Sequence, residues 1–266
     1  MNLYIITFII IILILILFFL LREREPFNNK NKYLVMTSAG DNTNFDTLWT
    51  NNNRQYDIWV VYYGDNDMIY EKYKNKVDRI WRRKGSKFQN FNYLYKNYYN
   101  ELMEYERFFI VDDDIIMKSY DINNLFNISV KYNLAICQPA FKLESKISHP
   151  ITKVVPGNIL RYTNFVEVNT PVFSKDALIK FMKYYDDSLI GWGIDYLYIW
   201  ANGMNEKNKY AIIDSITCIN PYDEVKGGNR ELNKIKSYDM RAQIWYEYSK
   251  KIGAMYDWSH INYKVI

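Results

Sequence analysis

The stretch Arg107-Phe108-Phe109-Ile110-Val111-Asp112-Asp113-Asp114-Ile115-Ile116-Met117 constrains this chain more than any other, because an apolar run of β type delivers three carboxylates in succession and then turns apolar again. Aspartate is depleted in strands, so the acids mark the place where the strand stops. Three adjacent charges of one sign repel unless something positive sits among them. Mg²⁺ or Mn²⁺, which favour carboxylate and phosphate oxygens, would supply that charge. The plainer alternative is a charged loop after a core strand, since ligands and turns share the same geography in α/β folds.

Two similar runs precede this one: Lys32 to Thr37 leads into Ser38-Ala39-Gly40-Asp41, and Tyr56 to Tyr63 leads into Gly64-Asp65. Between the runs, Met68 to Asp78 and Asn90 to Tyr105 carry aromatic and apolar residues at helical spacing. Strand, crossover helix and strand in this order predict an α/β fold with a mainly parallel sheet flanked by helices. Ligands in such sheets gather beyond the carboxyl ends of the strands. Ser38 to Asp41, Gly64-Asp65 and Asp112 to Asp114 are therefore expected on one rim.

The second half reads differently. Asn164 to Phe173 is expected as a strand passing through Pro171, after which Ser174 caps a helix running to about Tyr185. A loop from Asp186 to Gly193 leads to a helix over Asp195–Asn202 that Gly203 stops. Ala211 to Asp214 and Ile216 to Ile219 are strand material, and Met240 to Lys251 is an amphipathic helix.

Leu3 to Leu21 is nineteen residues with only Thr7 polar, enough at ~1.5 Å per residue to cross most of a ~30 Å hydrocarbon layer. No Lys or Arg precedes it and Arg22, Glu23, Arg24 and Glu25 follow it, a pattern that favours an uncleaved anchor over a signal peptide. Glu25 to Lys32 is a polar tether. The chain is thus divided into an anchor (1–21), a polar linker (22–32) and one folded domain (33–266). Arg22, Arg24, Lys30 and Lys32 argue for a cytosolic C-terminal side. The two cysteines, Cys137 and Cys218, lie in apolar surroundings and read as core residues; the acceptor pattern Asn127-Ile128-Ser129 does not by itself fix the compartment.

Gly191-Trp192-Gly193-Ile194-Asp195 is the second informative stretch. Glycines on both sides of a tryptophan let the backbone approach a ligand closely, and a flat ring beside a carboxylate suits a sugar. Asp195 fits a general base that takes a proton from an attacking hydroxyl; the bland role for it is a helix cap. Arg79, Arg82, Arg83, Lys84 and Lys87 form a basic cluster, a phosphate site or a solvated face. His149 and His260 are the only histidines, and either could complete a metal shell begun by the aspartates. No helix-turn-helix, zinc-finger or RNP pattern points to nucleic acid, and no G-x-G-x-x-G, Walker or G-x-S-x-G motif is present.

Ordered blocks along nearly all of the folded part closely resemble a membrane-anchored domain-of-unknown-function family common in plants, some of whose members are called lysine-ketoglutarate-reductase-related. These include Lys32 to Asp41, Trp59 to Asp65, Arg83 to Phe88, Val111 to Ile115, Gln138-Pro139-Ala140, Ile147 to Pro150, Arg161 to Glu167, Gly191 to Asp195 and Cys218 to Asp223. The reductase label finds no support in these residues, which lack a nicotinamide fingerprint. More distantly the chain looks like GT-A glycosyltransferases, which place a D-x-D motif at the end of a central strand to bind the metal of a nucleotide sugar. Carried over, the resemblance implies that Asp112 and Asp114 contact ribose and metal and that Asp195 is the acceptor base; of the two histidines, His260 is taken as the further metal ligand. The resemblance places Thr37, Ser38 and Asp65 at the nucleotide, Lys84 and Lys87 at the diphosphate, and Trp192 and Gly193 at the acceptor. The chain departs from a W-G-G-E-type segment, since Gly-Ile precedes Asp195.

The expected function is a Mn²⁺- or Mg²⁺-dependent transfer of sugar from a nucleotide-sugar donor to a glycan or other hydroxyl acceptor, by a single-pass membrane protein. Anchored enzymes of this kind usually face the endomembrane lumen, which opposes the orientation that the basic residues favour. The alternatives are a non-catalytic membrane-tethered carbohydrate binder on the same scaffold and a metal-dependent nucleotidyl or phosphoryl transferase.

Overall fold

Leu34-Val35-Met36, Ile58-Trp59-Val60-Val61 and Phe108-Phe109-Ile110-Val111 are completely buried, as runs apolar on both faces must be when helices cover a sheet on both sides. In the computed structural model, which describes residues 31–222, 231–254 and 259–266, they form the centres of three neighbouring strands. These are β1 (Tyr33–Ala39), β2 (Asp57–Tyr62) and, after the edge strand β3 (Arg79–Arg82), β4 (Arg107–Ile110). The remaining strands are β5 (Ile136–Phe141), β6 (Arg161–Thr163), β7 (Val172–Ser174), β8 (Tyr210–Cys218) and β9 (Asn262–Val265). Their order in one sheet is β3-β2-β1-β4-β7-β5-β8-β6-β9.

Pairing is parallel from β3 through β4 and again between β5 and β8, whereas β6 and β7 run against their neighbours. The sheet is therefore mixed, with a parallel half that carries the three acid-terminated strands. The helices used below are α1 (Phe45–Leu48), α2 (Asp67–Lys74), α3 (Lys87–Asn97), α4 (Tyr99–Leu102), α5 (Ser119–Lys131), α6 (Lys175–Met182), α7 (Ile194–Asn202), α8 (Glu231–Ile235) and α9 (Tyr238–Ile252).

Alternation along the strands divides the core. Val35, Ile58, Val60 and Phe109 join Ile122, Leu125 and Phe126 of α5 in one cluster. Phe173 of β7 packs with Phe181 of α6 and Tyr198 of α7, and Phe181 in turn meets Phe88 of α3. Burying each such side chain contributes about 1.5–3 kcal/mol. A buried ion pair adds direction: Arg161 of β6 donates to both carboxylate oxygens of Asp214 on β8 at 2.8 and 3.0 Å and to the carbonyls of Ile151 and Lys153.

Several elements differ from expectation for local reasons. Asn164 to Phe173 is not a strand: β6 ends at Thr163, a turn carries Glu167 to Thr170, and only Val172–Ser174 enters the sheet. Pro171 has no N–H to give to a ladder, and its carbonyl accepts from Ile110. Arg79–Arg82, the start of the basic cluster, is strand β3. The two expected runs are one strand, β8 (Tyr210–Cys218), whose register against β5 shifts at Pro139/Ala140. Ser174 caps α6 by accepting from Ala177, and Gly203 ends α7. The pattern Asn127-Ile128-Ser129 lies inside α5, with the Ser129 hydroxyl buried and donating to Phe126.

Cys137 and Cys218 are buried free thiols, and burial pushes Cys137 up to about 12. The expected anchor and nearly all of the linker lie outside the described residues; among the described residues no helix is long and apolar enough to cross a membrane.

Candidate active site

The ends of β1, β2 and β4 open onto a cleft of about 1320 Å³. Gly40 to Asn44 follow β1, Gly64 to Asn66 follow β2 and Asp112 to Asp114 follow β4, so the three acid-terminated runs do share one rim. Lys84 to Phe88 and Val168 close one side, with Gly191, Pro221 and α8 residues Leu232 and Ile235 on another.

The three aspartates of the row have different partners. Asp112 Oδ1 lies 2.9 Å from Lys87 Nζ, and the Asp112 N–H donates to the Asn169 carbonyl at 3.0 Å. Asp113 Oδ2 accepts from the Gly40 N–H at 2.9 Å, while the Asp113 carbonyl accepts from Thr43 Oγ1 and the Asn44 N–H. The Asp114 carbonyl accepts from Asn44 Nδ2, and the residue lines the cleft. An ammonium and a backbone N–H thus relieve part of the repulsion that the sequence alone assigns to a metal.

Lys87 is only 10% exposed and donates also to the carbonyls of Val168 at 2.7 Å and Asn169 at 3.1 Å. It forms part of the cleft floor, with its three donors committed within the fold. The rest of the basic cluster is likewise engaged. Arg79 pairs with Glu101 and lies over Trp59, Trp81 and Tyr98. Arg82 pairs with Asp67 at 2.6 Å, Arg83 donates to Asn90, and Lys84 meets Asp65 at 2.6 Å on the exposed rim. Of this cluster, Lys84 and Lys87 line the cleft.

Ser38 lines the cleft and accepts from Asn90 Nδ2 at 2.9 Å. Thr37, one residue earlier, is sealed in the sheet and does not line the cleft, because alternate side chains of a strand point to opposite faces. Trp192 and Gly193 are also outside its lining. The Trp192 ring meets Tyr238 at 5.9 Å. Gly193 has φ +77°, and a Cβ there would lie 2.0 Å from the Trp245 ring, so the glycine is demanded by packing inside the chain. Gly191, with φ +73°, does reach the cleft.

His260 does not line the cleft. It stacks on Phe165 at 4.1 Å and faces His149 at 5.1 Å, and burial lowers its pKa. Among the described residues, no group of three or more His, Cys, Asp or Glu side chains gathers as a metal site.

Asp195 stands in the first turn of α7, 6% exposed, and accepts from the Tyr196 N–H at 3.1 Å and from the Val168 N–H. Burial pushes its carboxyl up to about 7 against the pull of those N–H groups. It lies behind Val168 and is not itself in the cleft lining. A second buried acid, Glu167, which the sequence marks only as the end of the block Arg161 to Glu167, stands beside Asp195 in the run Phe165-Val166-Glu167-Val168. Glu167 is 2% exposed, and burial, followed by the charges of Asp195 and Asp112, pushes its carboxyl up to about 8. Clustered carboxyls with raised pKa beside a cleft are a common mark of a functional site.

No family model and no curated protein matches the chain. Among solved structures it is similar to S. aureus TarS. Residues 1–349 of TarS align with TM-score 0.50 and 14% identity over 83% of this chain and 72% of that one. The complex of the same fragment with UDP-GlcNAc gives 0.52 and 13% over 83% and 65%. The longer TarS structure gives 0.50 and 11% over 86% of this chain, which spans only 44% of it. At this identity the likeness concerns the mixed α/β fold alone.

Proposed function

We propose that the chain is a glycosyltransferase that takes a nucleotide-sugar donor in the cleft and transfers the sugar to an acceptor hydroxyl. The observation that carries this reading is the row Asp112-Asp113-Asp114, set at the carboxyl end of β4 on the floor of a large cleft in a GT-A-like sheet. TarS, with the same sheet type, binds UDP-GlcNAc.

The donor set suits a hard divalent ion, Mn²⁺ or Mg²⁺. Asp114 and Asp112 offer carboxylate oxygens at the cleft, and Mg²⁺ in phosphate-handling sites is held by one or two carboxylates plus substrate phosphates, without a dedicated protein cage. When bound, such an ion neutralises charge that builds on the departing diphosphate. The chain's own groups do the rest. Lys87 fixes Asp112, and the Gly40 N–H fixes Asp113. Asp195, whose pKa near 7 suits a general base, accepts the acceptor's proton as the hydroxyl oxygen bonds to the anomeric carbon and the bond to the diphosphate oxygen breaks. In the same reading residues 3–21 anchor the chain in an endomembrane with the cleft in the lumen, the side that anchored sugar transferases usually face.

The deciding experiment offers the detergent-solubilised full chain a panel of nucleotide sugars with Mn²⁺ or with a chelator. Metal-dependent release of nucleoside diphosphate from one donor is expected. Absence of any turnover, with donor or glycan binding that survives chelation, would replace the enzyme by a carbohydrate-binding protein on the same scaffold.

A further inference from the structure

The turn from Glu167 to Asn169 contacts Lys87 and Asp112 of the cleft and the buried Asp195 behind it. Its Val168 and Asn169 carbonyls accept from Lys87 Nζ at 2.7 and 3.1 Å. The Asn169 carbonyl also accepts from the Asp112 N–H at 3.0 Å. The Val168 N–H serves the Asp195 carboxylate. The turn is itself held at three points: the Glu167 N–H donates to Gln138 Oε1, Glu167 Oε1 accepts from Asn169 Nδ2 at 3.0 Å, and the Glu167 carboxyl is hydrogen-bonded to the Thr152 side chain. Burying a carboxyl away from water is costly unless something compensates, and no cation pairs directly with Glu167 among the described residues. Its hydrogen bond closes the turn from within, on the residue whose carbonyl is shared by Lys87 and Asp112.

We propose that Glu167 is a positioning residue of the cleft. By accepting from Asn169 Nδ2 it fixes the carbonyls that hold the Lys87 ammonium against Asp112, and so it sets the place and charge of the acidic row that meets the donor's diphosphate. The last clause rests on the proposed transferase function; the hold on Lys87 does not.

The test separates the two. In the folded full chain, Lys87 should be acylated slowly by an amine-reactive ester, read by peptide mass spectrometry against Lys84, which is 66% exposed on the same rim. Glu167→Ala and Asn169→Ala should each speed acylation of Lys87 about tenfold and leave Lys84 unchanged, whereas Glu167→Gln, which keeps the accepting oxygen, should preserve protection. Calorimetric titration with UDP and Mg²⁺ should show at least tenfold weaker binding for the alanine variants and near wild-type binding for the glutamine variant. Lys87 protection persisting in a folded alanine variant, or lost equally in Glu167→Gln, would overturn the assignment. If Glu167→Ala does not fold, Asn169→Ala decides. A wild-type chain that binds no nucleoside diphosphate would sink the transferase reading while the acylation pattern still decides the role of Glu167.

Discussion

Lys87 Nζ lies 2.9 Å from Asp112 Oδ1, joining the first turn of α3 to the end of β4 across the floor of the cleft. The lysine is mostly shielded from water, so its charge acts on the carboxylate more strongly than a surface pair would. Replacing it with methionine leaves Asp112 beside Asp113 and Asp114 without that ammonium. Lys87→Met should lose about 1–3 kcal/mol in urea unfolding, the scale of a charged hydrogen bond removed. Millimolar Mg²⁺ should raise the melting temperature of the variant more than that of the wild type, because the row then has greater need of a cation.

Asp114 lends its carbonyl to Asn44 and places its side chain at the cleft. Asp114→Asn preserves shape and that backbone contact, so the melting temperature should move by no more than a few degrees. Metal-dependent turnover of the nucleotide sugar should fall by at least a hundredfold in steady-state assays. Undiminished turnover would remove Asp114 from the metal assignment.

How much of this was legible in the sequence depends on what each residue meets. The strands at the centre announced themselves because Val35, Ile58, Val60 and Phe109 are buried under helices and their runs end in glycine or aspartate. Strand β3 did not, because Arg79 and Arg82 of an edge strand lie over Trp81 and Tyr70 and pair with Glu101 and Asp67, and in one dimension such residues read as a loose basic patch. The rim positions of Ser38, Asp65 and Asp112–Asp114 followed from strand ends alone. The roles of Lys87 and Glu167 did not, since both depend on a turn more than fifty residues from β4 that only the antiparallel insertion of β7 brings alongside it.

Gly193 supplies a stability test independent of function. Its φ of +77° is unfavourable for any side chain, and a Cβ would meet the Trp245 ring at 2.0 Å. Left-handed backbone costs a non-glycine residue roughly 1–2 kcal/mol, and overpacking costs about 1–3 kcal/mol. Gly193→Ala should therefore destabilise the chain by roughly 2–5 kcal/mol in chemical denaturation. Gly157→Ala has the left-handed strain without any atom within 4 Å of the added carbon, and should lose only the first part.

The raised carboxyls predict a pH dependence with a definite sign. On the proposed function Asp195 is the base and acts only when ionised, so turnover should rise with pH through about 7 and the limb should vanish in Asp195→Asn. Stability should respond to Glu167 in the opposite sense. Its folded pKa of about 8 exceeds the ordinary 4.5, so its contribution is intact below about 4.5 and is lost progressively as pH rises through 8. Glu167→Gln cannot ionise, and its unfolding free energy relative to wild type should improve as pH rises from 5 to 9, approaching a few kcal/mol.

The two histidines predict a second transition, on the acid side. Burial and the neighbouring His260 push His149 down to about 4, and burial lowers His260 as well. Both rings pack on Phe165, and the adjoining Asn164 side chain donates to the Ser259 carbonyl and accepts from the Ile261 N–H. That clamp ties residues 259–261 down just before β9 joins β6. A histidine with a depressed folded pKa favours the native state fully above about 6.5 and progressively less as pH falls toward 4. Hydrogen exchange should therefore show the amides of β9 losing protection between pH 6.5 and 4, after correction for the intrinsic rate, while those of β1 and β4 stay protected. In His149→Phe the onset should shift to lower pH, because one of the two ionising rings is gone. Loss of protection in β1 and β9 together would mean that acid unfolds the whole sheet and that the histidine clamp is not the weak point.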